Sequence, residues 1–385
     1  MAEASSASTA PASFEEAAIE PQRRKRRRLS LRKLASRADY VWRQGNRMAL
    51  YTVHSEVMRR MNKRLQKDLP ETPAPVPDGP VPSQRRMLTD IAALFAADLK
   101  AVEAGLYPAP RDGSMSVREL VATSSAFFKD VPEVARRRAT GSHQEVFEAT
   151  DRYAETLPRY YQQNFHFQSD GWLSEDSARL YDFQVDVLFS GATAAMRRRA
   201  LVPFAEIVKR KDQRQIAYAD LACGTGGLLR PALDAFPRLR GIGVDLSEPY
   251  LNVAAERIPT KRASFINAMA EKLPFADNSM DVLSCVFLFH ELPIKIRRQV
   301  VSEVARVLKP GGSFLFVDSL QTGDVPDYDG LLSLFPQLFH EPYYSSYLKE
   351  DLDQMFLDVG MRRSFFAPAF VSKAAEFIKA QAPFQ

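Results

Sequence analysis

Cysteine is scarce in this chain: there are two among 385 residues, Cys223 and Cys285, each inside an apolar stretch. That excludes a disulfide framework and a cysteine-based zinc site, and no metal site is expected. No apolar run approaches the roughly 20 residues that a membrane-spanning helix needs; the longest, such as Val282 to Phe289, stop far short. The first 20 residues lack an apolar signal segment and carry Glu3, Glu15, Glu16 and Glu20, which suit an organelle presequence poorly. A cytoplasmic protein is expected, attached at most to a membrane surface. Acids are nearly missing from Pro21 to Lys67, where sixteen Lys and Arg face only Asp39 and Glu56, a local balance of +14. The remainder, with 36 basic and 45 acidic residues, carries −9 within an overall +5. A polycation is joined to a mildly acidic body.

The charge step and the prolines divide the chain. Residues 1–69 read as a basic, partly disordered arm opened by the run Arg23 to Arg28. A helix is expected from Leu50 to Leu69, where Val53, Val57, Met61 and Leu65 recur every fourth residue as an apolar stripe. Residues 70–82 hold six prolines and predict an extended linker, because proline fixes φ and cannot continue a helix. Residues 83–180 form a helical accessory or lid region, with a helical stretch from Arg85 to about Leu157 and an aromatic segment from Tyr160 to Phe167. Residues 181–385 hold an α/β domain. From Gln215 onward short β-rich runs alternate with helical runs, the pattern of a parallel sheet covered by helices. Strands are expected at Ile216–Ala222, Leu239–Asp245, Ala263–Asn267, Asp281–Val286 and Ser313–Ser319, with an antiparallel pair near the C-terminus.

The richest stretch is Asp220-Leu221-Ala222-Cys223-Gly224-Thr225-Gly226-Gly227, which follows a strand and opens a helix. Glycines there let the backbone turn sharply and approach a ligand. Asp245, 21 residues after Gly224, ends the second strand where a carboxylate accepts hydrogen bonds from ribose hydroxyls. A dinucleotide fingerprint would want Gly or Ala where Leu229 stands. With Ala270-Glu271-Lys272-Leu273-Pro274-Phe275 and Arg306-Val307-Leu308-Lys309-Pro310-Gly311-Gly312, the chain resembles the class I S-adenosylmethionine-dependent methyltransferases, nearest to the quinone C-methyltransferase type. The resemblance implies a Rossmann-like, seven-stranded, mostly parallel sheet flanked by helices, S-adenosyl-L-methionine as cofactor, and a cofactor site carried over residue by residue. Gly224 and Gly226 would pass beneath the methionine part, Asp245 would hold the ribose, and Leu246 and the backbone of Ala270 would meet the adenine. Asp220, Ala222 and Phe287 complete the expected set. Met269 stands where the family often has an acid on the adenine amino group, and Ala222 replaces a glycine.

Methyl transfer requires alignment and exclusion of water, and a base only where the nucleophile carries a proton. The loop after the fourth strand holds His290, the one histidine expected beyond the strand ends. By likeness to the His-Asp pair of plant-type O-methyltransferases, His290 is expected to take the acceptor's proton, oriented by Glu291, in a profile rising near histidine's ordinary value of about 6.5. Tyr160, Tyr161, Tyr181, Phe289, Tyr343, Tyr344 and Tyr347 are expected around a small apolar or aromatic acceptor, methylated on O or C. A nucleic-acid methyltransferase would explain the basic arm, but neither an Asn-Pro-Pro-Tyr-type site nor a Pro-Cys nucleophile is present. A cofactor-binding module without activity is a third reading, which the intact glycines and Asp245 weigh against. The arm itself suits an anionic membrane surface, nuclear import or a solubilising tail.

Overall fold

A computed structural model describes residues 31–70, 73–110, 115–144 and 157–381. Seven strands form one sheet: β1 Tyr218–Leu221, β2 Gly241–Asp245, β3 Ala263–Asn267, β4 Met280–Val286, β5 Leu308–Ser319, β6 Met361–Ala369 and β7 Ser372–Lys379. Their order is 3-2-1-4-5-7-6. β1 to β5 pair in parallel, and β7 runs antiparallel between β5 and β6. The chain moves outward from β1 to β3, then returns to place β4 on the other side of β1. This reversal opens a crevice beyond the strand C-termini, where ligands bind in such sheets.

Twelve α-helices follow among the described residues: α1 Leu31–Leu65, α2 Gln84–Glu103, α3 Val117–Thr140, α4 Glu175–Leu188, α5 Thr193–Arg198, α6 Leu201–Arg210, α7 Leu229–Ala235, α8 Glu248–Arg257, α9 Ile294–Val307, α10 Asp329–Leu338, α11 Tyr344–Tyr347 and α12 Leu352–Leu357. Side chains of a strand alternate between faces, so β1 serves two cores. Ala219 and Leu221 pack with Val300, Val304 and Phe356 of α9 and α12. Tyr218 packs oppositely with Phe204, Leu229 and Leu233 of α6 and α7.

The N-terminal region differs from the expectation. α1 begins at Leu31 rather than Leu50, and it is built into the body instead of forming a free arm. Its buried residues are Tyr40, Gln44 and Tyr51, while Val53 and Val57 of the expected stripe are exposed. The physical reason is the helical period: a spacing of four drifts away from the 3.6-residue turn, so the inward face passes instead through Met58 to Met61 and Leu65. The proline segment is extended but bound. Val76 exchanges hydrogen bonds with the Gln337 side chain, and Pro80 O accepts from Gly330 N at 2.9 Å, both partners on α10. The expected break at 180/181 falls inside α4. The arginine run 23–28 and residues 145–156, the end of the expected long helix, lie outside the described residues.

One buried ion pair pins three of these helices. Asp98 on α2 is fully buried and accepts from Arg198 at 2.7 and 3.0 Å, Tyr40 at 2.6 Å and Tyr107 at 2.7 Å. Its four hydrogen bonds compensate the burial of the charge. Removing one partner of such a pair leaves the other charge uncompensated. Asp98→Ala should therefore lower the stability of the folded chain by about 3–5 kcal/mol, seen as an earlier midpoint in urea unfolding. A midpoint within experimental error of the parent would refute this role.

Candidate active site

Two cavities meet at the C-terminal edge of the sheet. The first is built on the turn after β1. Ala222, Gly224 and Gly226 all take positive φ there, at +49°, +55° and +84°. Gly226 is favoured by its positive φ, and a Cβ there would lie 2.5 Å from Ile258 Cδ1, so that side chain would also have to shift. Ala222 adopts the left-handed conformation with a side chain, so the replacement of the family's glycine costs about 1 kcal/mol of backbone strain. Across the turn, Asp245 accepts hydrogen bonds from Gly224 N and Ser247 N, both at 2.8 Å. Burial, only partly offset by these bonds, pushes its carboxyl up to about 6.

Asp220, Ala222, Gly224, Asp245, Leu246, Met269, Ala270 and Phe287 all line this cavity. Gly226 does not; its role is to shape the turn, and Gly227 lines the wall in its place. Tyr160, Tyr161 and Tyr181, read from the sequence both as acceptor residues and as a cover for the cofactor, line this cavity together with Trp172. Tyr160 donates to Glu271 Oε1 at 2.6 Å. Arg197 and Trp172 carried no recognisable signal in the sequence, and Glu271 was seen only as part of the Ala270-Glu271 motif; Arg197 is one of three consecutive arginines. A Cβ on Gly227 would lie 2.5 Å from Arg197 Nη1, so this glycine makes room for the guanidinium. Arg197 bonds Asp182 Oδ1 at 3.1 Å, and Asp182 Oδ2 accepts from Thr225 at 2.6 Å and pairs with Arg257. Burial disfavours the Asp182 carboxylate, yet the two arginines outweigh it and hold the group at about 2.

The second cavity shares Tyr181, Phe287 and Glu291 with the first. Its walls include Val185, Leu188, Phe189 and Met196, and it is also lined by His166, His290 and Glu341. Asp318, not Glu291, partners His290: their Nδ1 and Oδ1 atoms are 2.5 Å apart, while Glu291 Oε1 lies 3.8 Å from Nε2. Burial alone would pull the His290 imidazole down, but Asp318, with Glu341 and Glu291 beyond it, pushes it up to about 10. The ring is then an imidazolium at neutral pH, unlike the neutral base expected near 6.5. His290 is also not the one histidine here. His166, held at φ +56°, places Nε2 3.4 Å from Glu291 and Nδ1 3.6 Å from Glu341.

Of the other expected acceptor residues, only Tyr344 lines this cavity. Phe289 is fully buried among Phe314, Phe316 and Phe356, because its side chain points into the core while its N–H donates to Asp318. Tyr347 is buried beneath His290, its hydroxyl on Ser319 O at 2.6 Å. Tyr343 packs with the aromatic cluster around Trp172, and its carbonyl accepts from Arg297.

A family description, methyltransferase domain, matches residues 219–312. The ubiquinone/menaquinone biosynthesis C-methyltransferase UbiE of Campylobacter jejuni is 33% identical over 146 residues, 37% of this chain and 59% of that protein. The demethylmenaquinone methyltransferase of Thermotoga maritima is 30% identical over 219 residues, 52% of this chain and 91% of that protein. A fatty-acid O-methyltransferase of Mycolicibacterium smegmatis is 32% identical over 118 residues, 30% of this chain and 42% of that protein. The chain belongs to the class I S-adenosylmethionine-dependent methyltransferases. It spans 59% of the length of the Campylobacter relatives.

The first cavity fits the cofactor of that family by its donor set. Asp245 offers a carboxylate to a pair of hydroxyls, Arg197 a cation to a carboxylate, and Asp220 a carboxyl near the turn. Burial raises Asp220 to about 7, against the Ser284 hydroxyl that donates to it at 2.5 Å, and a cationic ligand beside it would favour its charged form. The aromatic cover and Leu246 supply apolar walls for a purine.

A charge-assisted hydrogen bond contributes roughly 1.5–3 kcal/mol. Asp245→Ala should accordingly weaken S-adenosylhomocysteine binding about tenfold or more in calorimetry. Because the raised Asp245 carboxyl gains its proton below about pH 6, parental affinity should also fall as pH drops through that value. Equal affinity of mutant and parent would refute the ribose assignment.

Proposed function

We propose that this chain methylates a small acceptor with an apolar or aromatic body, on oxygen or carbon, using S-adenosylmethionine. The observation that carries the reading is the second cavity, walled largely by apolar side chains, lined also by His166, His290 and Glu341, and joined to the cofactor cavity at Tyr181, Phe287 and Glu291. The relatives named for menaquinone biosynthesis and for fatty acids support an apolar acceptor. A cavity walled largely by apolar side chains supports a small molecule over a polynucleotide. Trp42, Val41 and Val53 stand exposed on α1 beside the exposed Arg43, Arg59 and Arg60, which supports an anionic membrane surface as the place where such an acceptor is met.

When bound, the cofactor supplies an electrophilic methyl carbon on a cationic sulfur. The chain's own residues do the rest. Tyr160, Tyr161 and Trp172 exclude water from the first cavity, and the apolar walls of the second orient the acceptor, an effect that can contribute several kcal/mol by positioning alone. His290, kept charged by Asp318, is placed to hold negative charge that develops on an acceptor oxygen. This role replaces that of the neutral base.

Isotope-labelled cofactor, full-length protein and a lipid-soluble cell extract should give label in an organic-soluble product. Leu188→Trp, which fills the second cavity, should abolish that transfer and leave S-adenosylhomocysteine affinity within about twofold; label in RNA, or undiminished transfer, would overturn the reading. With the acceptor so found, His290→Gln should lower turnover by about 10²–10³, the usual loss of one oxyanion-stabilising donor. Since the folded His290 is raised, its positive charge persists below about pH 10 and is lost above it. Parental activity at saturating cofactor should therefore decline toward pH 10, and Asp318→Asn should move that decline to lower pH. A parental profile that stays level through pH 10 would refute the charged role of His290.

A further inference from the structure

The second cavity is lined by a carboxylate that is only partly used. Glu341 is 3% exposed and lines the cavity, and among the described residues its Oε2 has no hydrogen-bond partner. Its other oxygen, Oε1, faces His166 Nδ1 at 3.6 Å. Buried carboxylate oxygens are normally satisfied, and leaving one bare costs free energy unless a ligand completes it. The segment before it is held in place rather than loose: His340 O accepts from His166 N at 3.2 Å, and His340 Nε2 bonds Gln163 Oε1 at 2.7 Å.

We propose, resting on the acceptor-cavity reading above, that Glu341 Oε2 receives a hydroxyl group of the acceptor and so selects hydroxylated apolar molecules. The neighbouring charges favour a hydroxyl over other donors. His290 lines the same cavity as a donor and Glu341 as an acceptor. A hydroxyl both donates and accepts and can satisfy the two together, whereas an ammonium can only donate. Burial pushes the Glu341 carboxyl above the ordinary range, against the pull of His166 and His290, which suits it to receive a proton. When the acceptor's O–H bond breaks, the electron pair stays on the acceptor oxygen and the proton bonds to Glu341 Oε2. The carboxylate becomes a neutral acid, and the new oxyanion faces the charged His290. Glu341 was not singled out in the sequence, where it is one glutamate in a run of aromatic residues.

The test compares 2-naphthol, naphthalene and 2-methoxynaphthalene as probes of the full-length protein by calorimetry. The parent should bind 2-naphthol about tenfold or more tightly than the other two, the size expected for one hydrogen bond to a charged group. Glu341→Leu should reduce that preference to less than about twofold, and Glu341→Gln, which keeps an acceptor oxygen of the same shape but no charge, should retain an intermediate preference. A parental preference that survives in Glu341→Leu would overturn the assignment while leaving the cavity reading intact. If Leu188→Trp bound the probes as well as the parent does, the cavity reading itself would fail. S-adenosylhomocysteine binding by each variant checks that it is folded.

Discussion

The Asp182 carboxylate is the interaction on which the rest of the site depends. It sits on α4, yet it binds Thr225 of the turn after β1, Arg197 of α5 and Arg257 of α8. A half-turn of helix around it supplies Tyr181 to both cavities, and the next turn supplies Val185 and Leu188 to the second. The glycine turn shapes the first cavity and α4 lines the second, so this one ion cluster ties the walls of the two cavities together. Two arginines are needed because a carboxylate so enclosed would otherwise take up a proton.

The same helix carries the influence of the N-terminal region to the site. Asp186, one turn beyond Asp182, pairs with Arg47 of α1, and Tyr51 packs on Phe183. The bound proline segment in turn lies along α10, which contributes Phe335 to the second cavity. The basic helix α1 and the proline segment thus brace the elements that line the second cavity without lining it themselves. The outward residues of α1 remain free to meet another surface.

Charge in the second cavity is balanced among groups that come from distant segments. His290 and His166 face Asp318, Glu291 and Glu341. Asp318, Glu341 and Glu291 raise His290, and Glu291 and Glu341 raise His166, so the protonation of the histidines belongs to the group. Asp318 also accepts from Phe289 N and Ser319 N, which fixes the loop after β4 to the end of β5. The residue that sets the state of His290 therefore also holds its position.

Local pattern was enough to read the sheet from the sequence. β3 was legible to the residue and β4 within one, because parallel strands are short apolar runs and their turns need glycine. Asp245 followed from its place at the end of the second strand, whereas Leu246, Met269 and Ala270 came from the resemblance to the methyltransferase family. What the sequence did not show lies across long separations: Asp182 with Thr225, Asp98 with Arg198, His166 with Glu341. Nothing in the spacing of such residues announces a partner, because the partner is chosen by where separate helices and loops come together. Phe289 and Tyr347 show this within a loop and a single turn, where one residue faces a cavity and the next the core. The charge on His290 was likewise decided by tertiary structure, since a histidine's affinity for its proton depends on which carboxylates burial places around it.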